Sequence, residues 1–547
     1  MSMQLLGSFA GGIGLFLLGM KLMSDGLRTA AGESLRNILR QSTKTLMRGV
    51  ISGAGITALV QSSSAVTVAT IGFVNAGLLN MVQAIGVIYG CNIGTTMTGW
   101  LVSLIGLHIS IKALAMPLIA VGALLNLLSR SHARASLGLA LAGFGLFFLG
   151  IDVLKQTFDG MGESIALSEL ASGGVLGLLQ FVGIGIVLTF LMQSSSATIA
   201  ITLTATVAGV IPLAAGAALV IGANLGTTTT ALLAVIGATS NARRVAIAHV
   251  IFNALTGAVA LLLLPLLLGL LGLLQRLTIA PLDAAVCLAL FHTMFNLLGV
   301  LLMWPLTPRL AEYLNKLFCG REKKDPALPQ YLDSNVLETP ALAMNAMQLE
   351  LFRTGGMASA SCAACMSAEY SVSQEAVKAD YNHLSALMTA MAAGAARLRS
   401  GELSDSVATY LPLALEAVRY HQEMVETAYD MAIVLEHLEP VNHPPLTEEL
   451  EAFRHRCSQL LQMCDYQGND LPSATAHHQH IKALKQSYRT VKQHVLRAGV
   501  ENRLGVQQMV HWLDFLRLAF LLQQQSDRAL QALHGFMQYD DDVKIPR

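Results

Sequence analysis

The stretch Ile56-Thr-Ala-Leu-Val-Gln-Ser-Ser-Ser-Ala65 returns as Leu188-Thr-Phe-Leu-Met-Gln-Ser-Ser-Ser-Ala197, 132 residues further along the chain. Working outward, Gly90-Cys-Asn-Ile-Gly-Thr-Thr96 returns at the same spacing as Gly222-Ala-Asn-Leu-Gly-Thr-Thr228. Upstream, Gly12-Ile-Gly-Leu-Phe-Leu-Leu-Gly19 matches Gly143-Phe-Gly-Leu-Phe-Phe-Leu-Gly150, 131 residues on. Three blocks in one order make a duplicated unit. Around them charge is scarce: residues 171–241 hold no Asp, Glu, Lys or Arg, and residues 49–128 hold only Lys112. Several runs therefore exceed the roughly 20 apolar residues that cross a bilayer.

The chain has 547 residues, 35 Lys+Arg and 35 Asp+Glu, yet the balance hides two unlike parts. Residues 1–320 carry 15 basic and 8 acidic residues, and the rest carry 20 and 27. The first part is too poor in charge for an ordinary soluble domain, and the cancelled sum offers no basic face for nucleic acid. Seven cysteines, odd in number and mostly in apolar spans or the tail, argue against a disulfide framework. The N-terminal run lacks the basic leader of a signal peptide, Lys21 following the apolar residues, and reads as a retained first span.

Each repeat holds an apolar segment, about 49–79 and about 174–210, interrupted by Gln-Ser-Ser-Ser. Arms of about 13 residues make roughly 20 Å of helix, short of a ~30 Å hydrocarbon core. The expectation is an all-α polytopic membrane protein whose two repeats each contain a re-entrant helical hairpin with its tip near the midplane. Full spans are then expected at about 5–24, 83–104, 111–129, 136–155, 213–236, 245–271 and 283–305. Three crossings separate the repeats (about 5–129 and 136–271), so the copies are inverted, as in many secondary transporters. Arg28, Arg36, Arg40, Lys44 and Arg48 crowd the first loop, Arg130 and Arg134 the next, and Arg243 and Arg244 a third. The positive-inside rule places those loops and the tail in the cytoplasm and the N-terminus outside the inner membrane.

Broken backbone at membrane depth is tolerated only where protein or water satisfies it. The two tips, Gln61, Ser62, Ser63 and Ser64 with Gln193, Ser194, Ser195 and Ser196, are thus expected to face one another. Their hydroxyls, amides and the free N–H groups opening each second arm suit an oxyanion. No Lys or Arg lies in the hairpins, so a cation must accompany the anion. Asn92, Thr95, Thr96, Asn224, Thr227 and Thr228, with Ser63, Ser64, Ser195 and Ser196, supply hard oxygen ligands for an alkali ion such as Na⁺. The bland alternative is that small polar residues merely pack helices; duplication with a matched Asn-x-Gly-Thr-Thr favours the site. A serine hydrolase using His249 or His292 needs one serine only, and no Gly-x-Ser-x-Gly surrounds either tip. These histidines recur as His249-Val-Ile-Phe-Asn253 and His292-Thr-Met-Phe-Asn296, and read equally as packed core or as intramembrane ligands.

At the paired Gln-Ser-Ser-Ser motifs the chain resembles the sodium-dependent phosphate cotransporter family, in its bacterial YjbB-type branch with a PhoU-like tail. The resemblance implies inorganic phosphate as the anion, Na⁺ as the coupling ion, no further cofactor and no catalysis. It also implies that both tips contribute to both ligands. The expected layout is a transmembrane domain at 1–320, a linker at 321–332 and a cytoplasmic PhoU-like domain at 333–547, built of about five or six amphipathic helices. Such a tail would meet phosphate-signalling proteins or another copy of the chain; nucleic acid is not expected. The alternatives are transport of another oxyanion, or a membrane-anchored phosphate sensor. Glu426 and Asp430, Cys362 and Cys365, and His477-His-Gln-His480 carry metal-ligand residue types, but read as solvated helix faces or unmatched pairs rather than as a metal site.

Overall fold

A computed structural model gives the structure of the chain. It describes residues 3–75, 77–104, 111–129, 131–161, 174–236, 238–277, 282–318, 327–337, 340–366, 373–399, 405–464 and 471–542. Those residues are helical throughout apart from turns and short connections, as expected of an all-α chain. They divide into two units, Met1–Val74 with Leu78–Leu317, and Asn75–Gly77 with Phe318–Arg547.

The first unit contains α1 (Met3–Ser42), α2 (Leu46–Val60), α3 (Ser63–Asn75), α4 (Met81–Leu104), α5 (Ile111–Leu128) and α6 (His132–Met161). It continues with α7 (Gly174–Met192), α8 (Ser195–Val207), α9 (Leu213–Ala234), α10 (Ser240–Leu262), α11 (Leu264–Leu277), α12 (Ala284–Met303) and α13 (Thr307–Lys316). Among the described residues, six helices are long and apolar enough to cross a membrane by length and composition: Leu5–Ala30, Ala133–Asp159, Gly174–Met192, Leu213–Ala234, Ser240–Leu262 and Ala284–Met303. Their outward faces expose Leu18, Leu137, Val187, Leu191, Leu262 and Leu301, apolar surface that suits lipid.

Three boundaries differ from the sequence expectation. α1 continues through the basic segment as one 40-residue helix, so Arg28, Arg36 and Arg40 lie on a helix rather than in a loop. The expected span at 245–271 is two helices meeting at Leu263 and Leu264, because Pro265 has no N–H for the i→i−4 ladder. The arm α7 has 19 residues, about 28 Å of helix, so the shortness that marks the other three arms does not apply to it.

Inversion of the repeats is visible in how equivalent helices pack. A Cβ placed on Gly12 would meet Leu154 and one on Gly143 would meet Met23, while Gly19 lies against Phe147 and Gly150 against Phe16. Residue numbers rise along α1 as they fall along α6, so these equivalent helices are antiparallel. Adding 131 to one member of each pair and subtracting it from the other returns the second pair, the reciprocity of a two-fold axis. Within each repeat the hairpin's first arm instead packs parallel to the helix that follows the hairpin. Gly90 abuts Val50 and Gly94 abuts Ala54, residue numbers rising together on the two helices; the equivalents are Gly222 at Val182 and Gly226 at Ile186. Backbone meets backbone at all four, and no side chain fits there.

Among the described residues, the second unit holds a single turn, α14 (Ser334–Leu337), and six long helices: α15 (Pro340–Met366), α16 (Gln374–Arg399), α17 (Asp405–Leu435), α18 (Pro444–Gln462), α19 (Ala474–Val500) and α20 (Val506–Asp542). Apolar residues at helical spacing on α20, Trp512, Phe515, Leu516, Ala519 and Leu522, pack with Val425, Ala428 and Ala432 of α17 and Phe453 of α18 in one core. Pro440 lies in the connection between α17 and α18, and α18 opens on Pro444 and Pro445.

His421 sits inside this core, fully buried, with Nδ1 3.0 Å from the Thr354 hydroxyl. Burial pushes its imidazole from 6.5 down to about 4. A lowered histidine pKa gives stability that is fully present above about 6.5 and is lost as pH falls towards 4. The two-and-a-half-unit difference amounts to about 3 kcal/mol. Thermal unfolding of the second unit, read by Trp512 fluorescence, should weaken by about that amount from pH 6.5 to 4. In His421→Gln that part of the acid sensitivity should be absent; an unchanged acid profile would place the effect elsewhere.

Candidate functional site

Both Gln-Ser-Ser-Ser motifs form the break between two helices. Gln61 ends α2 in the left-handed region (φ 56, ψ 27), its N–H donating to Thr57 O at 2.7 Å. Gln193 takes the same turn after α7 (φ 50). Neither is glycine, so each left-handed turn costs of order 1–2 kcal/mol that surrounding contacts must offset. The next residue caps the returning helix in both copies: Ser62 Oγ accepts from Ala65 N at 3.3 Å, and Ser194 Oγ from Ala197 N at 3.2 Å. Ser62 and Ser194 therefore anchor the turn, and Ser63, Ser64, Ser195 and Ser196 occupy the first turns of α3 and α8, where N–H groups lack helical partners.

Thr98 and Thr230, which the sequence reading passed over, join the two breaks. The Thr98 hydroxyl of α4 lies 2.7 Å from Gln61 Oε1 and 3.2 Å from Ser196 Oγ. The Thr230 hydroxyl of α9 lies 3.5 Å from Ser64 Oγ. Thr98 and Thr230 are 132 apart, as are Ser64 and Ser196, so each copy's threonine reaches the other copy's serine. The signal was present in Gly94-Thr-Thr-Met-Thr98 and Gly226-Thr-Thr-Thr-Thr230, two residues beyond the matched blocks.

The copies are not identical in detail. Gln61 is buried, its Nε2 held 2.5 Å from Ala58 O, whereas Gln193 is exposed. Thr95, Thr96, Thr227 and Thr228 donate to carbonyls one turn back on their own helices, at 2.7, 2.7, 3.1 and 2.7 Å. That leaves their oxygens as acceptors, the polarity a cation requires. Asn92 donates to Ile88 O at 3.0 Å; its equivalent Asn224 instead reaches across to α10 and α12. In the second unit, Cys362 and Cys365 are buried and donate to the carbonyls of Met424 and Ala428 at 3.5 Å, burial pushing the Cys365 thiol up to about 12. Glu426 and Asp430 are not buried, His478 pairs with Asp527 at 2.6 Å, and no cluster of three metal-ligand side chains occurs among the described residues.

Two inverted helical repeats, each broken at a Gln-Ser-Ser-Ser motif and bridged by threonine, define a polytopic membrane protein with a neutral polar centre. Residues 15–156 and 166–277 match the family described as Na+/Pi-cotransporter, and the chain belongs to that family. It is 33% identical over 313 residues to YqeW of Bacillus subtilis, covering 95% of that protein and 56% of this chain. To YjbB of Salmonella typhimurium, named for inorganic phosphate export, it is 29% identical over 348 residues, or 63% of this chain. The chain spans 61% of the length of that relative. A 92-residue stretch, 16% of this chain and 14% of the relative, is 34% identical to sodium-dependent phosphate transport protein 2A of Ovis aries. No solved structure matches the chain.

Thr98→Val keeps shape but leaves the buried Gln61 Oε1 without its donor, a loss of about 1–3 kcal/mol. Thr230→Val, which breaks a 3.5 Å contact to Ser64 and a 2.7 Å bond to Thr227 O of its own helix but strands no buried amide oxygen, should cost less. Thermal unfolding of the purified protein checks the order; equal costs would show that the Thr98 bridge carries no special weight.

Proposed function

We propose that this chain moves inorganic phosphate across the bacterial inner membrane coupled to Na⁺, by alternating access of the two repeats around the Gln-Ser-Ser-Ser breaks. The observation that carries the reading is the reciprocal pairing of Thr98 with Ser196 and Thr230 with Ser64, which brings both breaks to the pseudo-two-fold between inverted copies. Phosphate would take the free N–H groups and hydroxyls at the starts of α3 and α8, the positive ends of two helix dipoles. With no Lys or Arg between Gly49 and Ile111 or between Leu170 and Ala242, its charge would be offset by Na⁺ on the acceptor oxygens of Ser63, Ser64, Ser195, Ser196, Asn92, Thr95, Thr96, Asn224, Thr227 and Thr228. In this reading α2–α3 and α7–α8 enter and leave on one side as re-entrant hairpins. The basic segments and the tail lie in the cytoplasm. The tail would act as a PhoU-like domain that couples flux to phosphate signalling. Export and import follow from whichever combined gradient prevails, in keeping with relatives named for inorganic phosphate export and for sodium-dependent phosphate transport.

The purified chain in proteoliposomes tests the site. Gln61→Ala and Gln193→Ala should each abolish Na⁺-dependent ³²P-phosphate uptake while leaving membrane insertion intact, because each removes a polar group at a break but no apolar span. Uptake retained in both variants would sink the site assignment. Inhibition by excess sulfate rather than by arsenate would move the substrate to another oxyanion.

A further inference from the structure

One end of the second unit gathers charged side chains around an opening. A cavity of about 310 Å³ lies at the start of α18, the end of α19 and the turn that follows it, with His443, Glu449, His494, Arg497, Glu501 and Arg503 on its walls. Helical spacing and one turn bring these residues together. His494 and Arg497 of α19 and its C-cap Glu501 stand three and then four residues apart, and so share one face. Beyond them Asn502 is left-handed (φ 54), and the N–H groups of Arg503 and Leu504 return to Ala498 O at 2.9 and 3.2 Å. The chain doubles back there and sets Arg503 beside Glu501.

Positive charge is in excess at this cavity. Both oxygens of Glu501 are taken by arginine, Oε1 by Arg497 Nε at 2.8 Å and Oε2 by Arg503 Nη2 at 3.1 Å. Glu449 is engaged separately, by His494 Nδ1 at 2.6 Å. One carboxylate therefore faces two guanidiniums, each with further N–H donors in a planar fork. The hydrogen bond from Arg497, helped by the charge of Arg503, holds the Glu501 carboxyl below the usual carboxylate range. Arg503 Nη1 also lies 3.2 Å from His443 Nε2. An arginine only donates, so Nε2 accepts and the proton of the ring sits on Nδ1. That Nδ1 is buried and has no hydrogen-bond partner. A basic residue near a helix C-terminus commonly answers the helix dipole alone. The dipole accounts for Arg497, but not for a second arginine on the same carboxylate beside a donor that lacks an acceptor.

We propose that this cavity binds a small anion carrying a phosphoryl group, held between Arg497 and Arg503 with His443 as a further donor. Two guanidinium forks on one carboxylate leave a net positive charge, and a phosphoryl group offers acceptor oxygens in the geometry those forks match. The side chains of Arg497 and Arg503 are 77% and 54% exposed, so a solute reaches them from water. Pro445 and Leu446 add apolar wall. The volume lies at the small end of ligand pockets, about 300–1,000 Å³, which leaves room beside the phosphoryl group for a compact organic body. Free phosphate and a phosphomonoester present the same chemistry to the arginines. The site uses none of the residues of the Gln-Ser-Ser-Ser breaks and does not depend on the transport reading.

Isothermal titration of the full-length protein in detergent, in choline chloride without Na⁺, tests the site with three probes: inorganic phosphate, glycerol 3-phosphate and succinate. Phosphate or glycerol 3-phosphate should bind, the tighter of the two showing whether the free ion or the ester is the ligand, and succinate should bind about tenfold more weakly or less. Arg503→Gln and Arg497→Gln, both at exposed positions, should each weaken the phosphoryl probe about tenfold or more, since each removes a charged hydrogen-bond donor. No binding of either phosphoryl probe, succinate that binds as tightly, or binding unchanged in either arginine variant would overturn the site and leave a solvated ion-pair cluster. The readout is binding in the absence of Na⁺, so a failure of Na⁺-driven flux would count against the transport reading and not against this site.

Discussion

The structure of the membrane unit depends on one constraint: a helix broken inside apolar surroundings must have its freed backbone groups and its polar tip satisfied by protein. Both breaks solve this alike. A left-handed glutamine stops the first arm, a serine caps the second, and a threonine from the following helix reaches the opposite break. The threonines can do so only because α2 lies against α4, and α7 against α9, at backbone contact. The glycines at 53, 90, 185 and 222 permit that closeness. Glycine spacing, helix break and cross-repeat hydrogen bond are thus one device, and it is built twice.

In the function proposed, that device also lets the centre serve a charged solute without charged side chains. Helix starts and hydroxyls supply donors to an anion, and hydroxyls already donating to their own helices offer acceptor oxygens to a cation. A neutral scaffold of this kind avoids a permanent ion pair in a low-dielectric interior. It makes anion and cation depend on one another, which is the physical basis proposed for coupling.

Much of this was legible in the residues. The 132-residue offset located both breaks, and the odd number of expected crossings between copies anticipated the antiparallel packing of α1 on α6. Thr98 and Thr230 escaped because the reading ended with the matched Thr96 and Thr228, and the neighbours Met97 and Thr229 differ. Asn224 was found as one of a pair with Asn92, but its cross-helix partners come from tertiary packing that no periodicity records. The long α7 was misjudged for a simpler reason: one arm length was applied to both repeats, although the apolar run from residue 174 to the break at Gln193 already holds 19 residues. In the tail, amphipathic spacing revealed the bundle, while the burial of His421, Cys362 and Cys365 depends on which faces meet.

The central claim is that phosphate movement is driven by Na⁺ through a protein whose own ligands are neutral. Its most direct test is ³²P-phosphate flux in proteoliposomes of the purified chain under an imposed Na⁺ gradient, against matched K⁺ and H⁺ gradients. The account predicts flux that follows the Na⁺ gradient and reverses with it. Phosphate that binds but moves under none of the three gradients, or that moves equally under all, would contradict it.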